Sequence, residues 1–295
     1  MVRIDAHLHV FASASEQFPR EPDDLAPAGR AEPVEKFIGC MEEHGIDQAM
    51  LVQMGGASIA HHAYLRHSIA RYPDRFLGIG LVPDSCAEPE AHMDALAAQG
   101  GIVGFRLGAL GGPRDPFAEI DVRSFASYRI WQHAAKRDYV LWLFLPAAEA
   151  HLAAYMVDAF PQVRVVFNHL GICPGAGKYS VDAWGRPRDE VAPYNPALHT
   201  VWRLGRYENV TVILSGEYSF SREAYPHRDL AGWHANLLRK FGSERLMWAS
   251  DAPWIYEEPG YGACVAILDE LLPDLSEKER EDIMGGTARR FLRFR

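Results

Sequence analysis

The chain has 295 residues, of which 48% are hydrophobic and 23% are charged, and its formal net charge at pH 7 is −9. This length and composition exclude a small disulfide-stapled scaffold and a disordered chain, and the acidic balance excludes nucleic acid and anionic membrane surfaces as expected partners. The apolar runs are too short for a membrane span, and the N-terminus shows no signal pattern. The four cysteines form no CxxC pair. These features predict a reduced, cytoplasmic protein.

Short apolar segments rich in β-branched residues alternate with helix-like stretches along the whole chain. The predicted strands cover residues 3–10, 48–53, 76–82, 102–107, 139–145, 163–169, 210–215 and 246–250. Most are nearly continuous hydrophobic runs, which is typical of strands that are covered on both faces. The stretches between them carry apolar residues at helical spacing, and Gly45 stands where the first helix should end.

Eight strands with intervening helices predict the α/β class. Because no GxGxxG motif follows the first strand, the pattern favours a closed (β/α)₈ TIM barrel over an open doubly wound sheet, with one domain over residues 1–295. Three connections are too long to be simple turns, namely residues 11–33, 171–196 and 250–260. Each follows a strand, so we expect these long βα loops on the C-terminal face of the barrel, where barrel enzymes have their active sites.

The first strand contains the motif Asp5-Ala6-His7-Leu8-His9. Alternation along a strand predicts that Asp5, His7 and His9 share the inner face of the barrel. Two imidazoles at this position can bind a divalent metal, or they can donate hydrogen bonds to a substrate carbonyl and its developing oxyanion. A pair of hydrogen-bonded core histidines is the structural alternative.

Further polar residues end later strands. His169 and Asp251 terminate hydrophobic strands, and a carboxylate among imidazoles is suited to take a proton from water, although Asp251 could instead cap a helix. Arg106 could hold a substrate carboxylate through two hydrogen bonds, or serve as a structural ion-pair partner. Ser215 leaves room for a ligand, and Trp254, just after the last strand, is a further candidate for substrate contact.

The long loop after the sixth strand carries Lys178, Tyr179 and Arg186 among glycine and proline residues. These side chains predict a cover that meets an anionic ligand, and solvated loop charge is the alternative. Trp142 lies inside the fifth predicted strand and is interpreted as a core residue.

These motifs together resemble the amidohydrolase superfamily, and in particular the amidohydrolase-related branch that contains 2-pyrone-4,6-dicarboxylate lactonase and the sugar lactonases. The resemblance covers nearly the whole chain through the segments IDAHLH (4–9), GIDQAMLVQ (45–53), RYPDRF (71–76), GFR (104–106), FNHLG (167–171), LSG (214–216), WASDAP (248–253) and GTARR (286–290).

The resemblance implies ligand positions for a metal, because members that bind one use the HxH motif, a histidine or carbamylated lysine partway round the barrel, and the strand-eight aspartate. The fifth strand of this chain ends in Leu143-Phe144-Leu145-Pro146 and offers no such side chain. Only His7, His9 and Asp251 remain as metal ligands if a divalent ion is bound. The lactonase branch instead implies a scheme that requires no metal.

In that scheme Asp251 activates water, His7, His9 and His169 polarise the carbonyl of a small, anionic lactone or related cyclic ester, and Arg106 grips the substrate. One alternative is a mononuclear Zn or Mn hydrolase or decarboxylase that acts on a small carboxylate. Another is an inactive ligand-binding barrel. The expected partner is a small molecule that carries a carboxylate, and a homodimer is expected only because dimers are common.

Overall fold

The computed structural model describes residues 2–83, 86–115, 117–173, 179–189 and 197–295, without the side chains of 197–199. Eight parallel strands form one sheet in the order β1-β2-β3-β4-β5-β6-β9-β10, and this confirms the predicted TIM barrel. The barrel strands are β1 (Ile4–Leu8), β2 (Gln48–Val52), β3 (Phe76–Leu81), β4 (Ile102–Leu107), β5 (Val140–Leu143), β6 (Val165–Phe167), β9 (Val210–Leu214) and β10 (Leu246–Trp248).

The helices pack their apolar stripes against the outside of the sheet, as Val34, Phe37 and Met41 of the first helix do. No helix in the described segments is long and apolar enough to cross a bilayer. The helices are α1 (Val34–His44), α2 (Ala63–Arg71), α3 (Pro89–Ala97), α4 (Tyr128–Arg137), α5 (Ala153–Ala159), α6 (Ala197–Arg203), α7 (Glu217–Phe220), α8 (Ala231–Phe241), α9 (Tyr261–Val265), α10 (Ile267–Leu271), α11 (Glu277–Glu281) and α12 (Thr287–Leu292).

A second apolar cluster fills the inside of the barrel. Alternate residues of the strands point inward, and Ala288, Leu292 and Phe294 at the C-terminus of the chain join them. The barrel is therefore a packed core, and space for a ligand is left to the ends of the strands. The inward residues include Ile4, Ala6, Met50, Val52, Ile79, Val140, Trp142, Val166, Ile213 and Met247.

The barrel closes where β1 meets the segment that follows β10. The backbone N–H of Asp251 donates to the carbonyl of His7 (3.0 Å), and the N–H of His9 donates to the carbonyl of Ala252 (2.7 Å). The pairing of β1 with β2 is irregular between Asp5 and Leu8, so strict alternation fails there.

Asp5 consequently does not share the face of the two histidines, and that prediction was wrong. Its carboxylate accepts hydrogen bonds from the Ser250 N–H (2.9 Å) and from the Tyr261 hydroxyl (2.9 Å), and Tyr261 lies in the outer core. Burial raises the pKa of Asp5 to about 6. This carboxylate supports the closure from behind the site.

Two loops are held over the C-terminal end of the barrel. The first is closed at its base by a bridge between Phe11 and Glu32, and Arg20 organises its interior by donating to the carbonyl groups of Ala12, Ala26, Pro27, Ala28 and Arg30. Within the predicted loop 171–196, the structure has an antiparallel hairpin of β7 (Tyr179–Val181) and β8 (Pro187–Asp189).

Arg186 fastens this hairpin to the loop after β10. Its guanidinium donates to Asp182 Oδ2 (2.9 Å) within the hairpin and to Glu258 Oε2 (2.6 Å) and the Glu258 carbonyl (2.7 Å) across the gap. The arginine is buried, whereas the side chains of Asp182 and Glu258 are partly exposed. An isolated two-stranded hairpin is only marginally stable, so it needs such bonds. On its other side, Arg188 donates to the carbonyl groups of Tyr218 and Ser221 in and after α7.

We predict that Arg186→Met loosens the hairpin without unfolding the barrel. The apolar stem is kept, but the charged hydrogen bonds are lost, so amides of residues 179–189 should exchange with solvent at least about tenfold faster. Hydrogen-exchange mass spectrometry measures this. Arg206→Met is the control, because the Arg206 side chain is 67% exposed and its guanidinium lies 3.7 Å from the exposed Asp158 carboxylate. Equal exchange of the hairpin in both variants would contradict the assignment.

Candidate active site

The two histidines of the HxH motif lie side by side at the mouth of the barrel. Their Nε2 atoms are 3.3 Å apart, and both side chains are buried. His7 Nδ1 faces the indole Nε1 of Trp142 at 3.0 Å, and His9 Nδ1 faces the carbonyl of Val52 at 2.8 Å. Both rings are therefore held through their rear nitrogens, and their Nε2 atoms point toward the last strand.

Asp251 faces these two Nε2 atoms. Its Oδ1 is 3.6 Å from His7 Nε2 and 3.7 Å from His9 Nε2, and it is buried without a hydrogen-bond partner among the described residues. Its Oδ2 accepts a hydrogen bond of 2.6 Å from the Tyr218 hydroxyl. One carboxylate oxygen is thus anchored, and the other is unpaired between two imidazoles.

His169 completes the cluster from the end of β6. Its Nδ1 is 3.0 Å from Ser215 Oγ and 3.9 Å from Asp251 Oδ2. Gly216 has a φ of +77°, and a Cβ there would stand 3.0 Å from His169 Nδ1. Glycine at this position therefore accommodates both the left-handed backbone and the close approach of the imidazole ring.

The backbone is in the left-handed region at three non-glycine residues of this site. His169 has a φ of 43°, Leu170 of 59° and Asp251 of 57°. Such conformations cost about 1–3 kcal/mol each and persist where surrounding structure enforces them, often at functional sites. The sharp turns after β6 and β10 aim His169 and Asp251 at each other.

Burial controls the protonation of the cluster. It lowers the pKa of His9 to about 3 and that of His7 and His169 well below the usual range, and the charge of Arg106 acts in the same direction on all three. Burial raises the pKa of Asp251 to about 8, against the Tyr218 hydrogen bond and Arg106, which lower it. The imidazoles are neutral at physiological pH, so they do not neutralise the carboxylate.

Arg106 supplies the positive charge of the site. Its guanidinium lies 5.2 Å from the centre of the Phe144 ring, and the Phe144 and His169 rings are nearly perpendicular with their centres 5.3 Å apart. Within the part of the chain that the structure describes, no carboxylate or carbonyl accepts a hydrogen bond from Arg106. Trp254 is buried on the other side, 6.4 Å from His9 between ring centres, under the guanidinium of Arg30.

The loop residues proposed for substrate contact differ in their surroundings. Arg186 is engaged by Asp182 and Glu258, and its guanidinium also lies 5.4 Å from the centre of the Tyr218 ring. Tyr179 is 43% exposed on the hairpin. Lys178 lies outside the described residues. Contact of these three with substrate stays a prediction.

Two site residues were not found from the sequence. Tyr218, in α7, follows the strand-end motif Leu214-Ser215-Gly216, and no pattern marks its hydroxyl as a partner of Asp251. Trp142 was assigned to the core, where it is indeed buried, but its indole nitrogen contacts His7. Its position in the strand that faces β1 across the barrel, together with its polar atom, was the only available signal.

The potential metal-ligand atoms at the mouth of the barrel meet the distance requirement of a metal site but not the protonation that His7 would need. One ligand atom each from His7, His169 and Asp251 lies within 4.8 Å of the others, which is close enough to surround an ion. A metal on His7 Nε2 requires a proton on Nδ1, however, and that atom faces the indole N–H of Trp142. His7 as it is held here does not fit a ligand role.

Solved structures with the same architecture cover essentially the whole chain. A probable 2-pyrone-4,6-dicarboxylic acid hydrolase from Acinetobacter baumannii, with citric acid bound, has 20% identity, covers 100% of both chains and has a TM-score of 0.76. An amidohydrolase from Burkholderia multivorans with bound zinc has 20% identity, 99% coverage of both chains and a TM-score of 0.73. A 2,6-dihydroxybenzoate decarboxylase in complex with 2,6-dihydroxybenzoate has 15% identity, 99% coverage of both chains and a TM-score of 0.64.

These identities show a shared fold and leave the reaction open. No curated protein matches the sequence. A sequence model of one family, described as amidohydrolase, matches residues 4–294, which is almost the entire length. The chain is therefore a member of the amidohydrolase family and an enzyme of the amidohydrolase type.

Proposed function

We propose that this enzyme hydrolyses a small, anionic lactone or related cyclic ester by direct attack of water. The observation that carries the proposal is Asp251 Oδ1, a buried carboxylate oxygen without a hydrogen-bond partner among the described residues, 3.6 and 3.7 Å from two imidazole nitrogens. An unpaired buried oxygen is costly in a protein interior. A water molecule that donates to Oδ1 would satisfy it and would lie beside the histidines.

The reaction then follows from these positions. Ionised Asp251 takes a proton from water while the water oxygen attacks the carbonyl carbon of the ring, and imidazole N–H groups stabilise the oxyanion. Collapse of the tetrahedral intermediate breaks the bond to the ring oxygen, and the proton on Asp251 passes to that leaving oxygen. The product is the open-chain hydroxy acid, and the carboxylate is regenerated.

The surroundings of Arg106 favour the proposal that the substrate is an anion. A half-buried guanidinium without an acceptor among the described residues is suited to pair with a carboxylate, and bidentate pairing adds specificity. The similar structures point the same way, since one is a probable hydrolase of 2-pyrone-4,6-dicarboxylic acid with citric acid bound. We propose Ser215 and Trp254 as further substrate contacts, because Ser215 touches His169 and Trp254 lies near His9.

We propose that the reaction requires no metal ion. The unpaired carboxylate oxygen and the neutral imidazoles supply a base and hydrogen-bond donors, so water can be activated without a Lewis acid. A mononuclear Zn or Mn enzyme, using His7, His9 and Asp251, is the alternative. It requires His7 to release its present hydrogen bond from Trp142.

The direct test is a panel of anionic, neutral and sugar lactones, followed with a pH indicator. We expect turnover, with preference for carboxylate-bearing lactones, and we expect Asp251→Asn to lower kcat by about a hundredfold to ten-thousandfold, because the general base is lost. Asp47→Asn is the control, since Asp47 is exposed and precedes β2 at the opposite end of the barrel. Normal turnover by Asp251→Asn would remove this residue from the role of base.

The dependence of kcat/KM on pH gives a second prediction. Because burial raises the pKa of Asp251 to about 8, only the minority ionised form is active at pH 7. We expect kcat/KM to rise about tenfold per pH unit below pH 8 and to level off above it. Among the described residues, the charged and titratable groups that contact Asp251 or act on its pKa include His7, His9, His169, Arg106, Tyr218, Asp5 and Glu217.

Tyr218→Phe provides the internal comparison for this profile. The Tyr218 hydrogen bond lowers the pKa of Asp251, so its removal should move the rising limb to higher pH. A profile that is flat between pH 6 and about 9, or a limb that Tyr218→Phe leaves in place, would show that Asp251 is not the titrating base.

A further inference from the structure

Trp142 donates the hydrogen bond that determines the tautomer of His7. The indole Nε1 of Trp142 is 3.0 Å from His7 Nδ1, and both side chains are buried. An indole nitrogen can only donate, so His7 Nδ1 must present its lone pair. An imidazole with a lone pair on Nδ1 carries a single ring proton, and that proton is therefore on Nε2.

The opposite tautomer is imposed on His9. Its Nδ1 is 2.8 Å from the carbonyl of Val52, which can only accept, so Nδ1 carries the proton and Nε2 presents a lone pair. The proton of His7 Nε2 also points at His9 Nε2, which can accept it only through a lone pair. The two Nε2 atoms are 3.3 Å apart, and the imposed tautomers let His7 donate to His9 across that distance.

We infer that Trp142 is a positioning residue that makes His7 a hydrogen-bond donor and prevents it from binding a metal ion. Ligation through Nε2 would require the proton to move to Nδ1, where it would oppose the indole N–H. Metal-bound histidines usually donate their other ring N–H to a carbonyl or carboxylate. His9 meets that condition through Val52, and His7 does not.

For the reaction, this inference rests on the proposed function and divides the roles of the two histidines. His7 Nε2–H is available to the carbonyl oxygen of the substrate, whereas neutral His9 has no proton on Nε2 to donate. His9 is then the acceptor of the pair, holding the His7 proton until a substrate oxygen replaces it. Of these two histidines, only His7 can donate through Nε2 to the oxyanion.

The tautomers can be measured without any substrate. Long-range nitrogen–proton NMR correlations of the protein labelled in histidine distinguish protonation at Nδ1 from protonation at Nε2, and a His7→Gln spectrum identifies the His7 signals. We expect the wild type to carry the His7 proton on Nε2 and the His9 proton on Nδ1. A wild-type His7 protonated on Nδ1 would overturn the inference.

The substitution Trp142→Phe tests whether the indole N–H determines the tautomer of His7. It removes the indole donor, so His7 should gain the tautomer protonated on Nδ1, and affinity for Zn²⁺ alone, measured by calorimetry, should increase at least about tenfold. Trp248→Phe is the matched control, because Trp248 is a buried barrel tryptophan whose Nε1 donates to the carbonyl of Cys264 (3.1 Å). It should change neither the tautomer nor the affinity for zinc.

Equal zinc affinity in the wild type and both variants, with the His7 tautomer unchanged by Trp142→Phe, would overturn the role of Trp142. These outcomes are distinguishable from failure of the proposed function. If the tautomers and zinc affinities behave as expected but no lactone is hydrolysed, the assignment of Trp142 stands and the lactonase proposal falls.

Discussion

The closure of the barrel between its first and last strands is the constraint on which the site depends. Two backbone hydrogen bonds join His7 to Asp251 and His9 to Ala252, and they bring the two ends of the chain together. The side chains that follow from this pairing are a carboxylate and two imidazoles within 3.7 Å of one another. A barrel that failed to close would retain most of its outer packing but would have no cluster.

The second constraint is that little positive charge surrounds Asp251 inside the cluster of His7, His9 and His169. Three buried imidazoles lose their affinity for protons, and Asp251 is left with a hydroxyl and Arg106 as its stabilising neighbours. The carboxylate is therefore more basic than an exposed aspartate. That property is unfavourable for stability wherever Asp251 is ionised, and it is the property that a general base requires.

The left-handed backbone at His169, Leu170 and Asp251 also helps to form the cluster. Regular strands would carry these residues past the mouth, whereas the sharp turns bring His169 and Asp251 together. The cost is met by the packing around them, including the absence of a side chain at Gly216. Local strain and unfavourable burial are both concentrated where the proposed chemistry takes place.

The sequence was sufficient to predict the fold and the core of the site. Period and strand count predicted the barrel, and the polar residues that end apolar strands predicted His7, His9, His169 and Asp251, which do converge. Alternation failed at Asp5 because the strand pairing is irregular there. Such a defect depends on how neighbouring backbones meet, and it has no signature in residue types.

Partners of the site residues were harder to predict for a related reason. Tyr218 and Trp142 are apolar in most of their atoms, and one polar atom of each makes the contact that matters. Hydrophobic patterning therefore assigns them to the core. The hairpin of residues 179–189 was also missed, because its three-residue strands are too short to show a period and depend for their position on hydrogen bonds to other elements.

The central claim is that this constellation hydrolyses a lactone with water activated by Asp251 and without a metal. The most direct measurement is the rate of chelator-treated protein, shown by elemental analysis to be free of metal, on a lactone that the enzyme turns over in isotopically labelled water. We expect an unchanged kcat/KM and one labelled oxygen in the new carboxylate of each product molecule. Loss of turnover on removal of metal, with recovery on addition of zinc or manganese, would contradict the account.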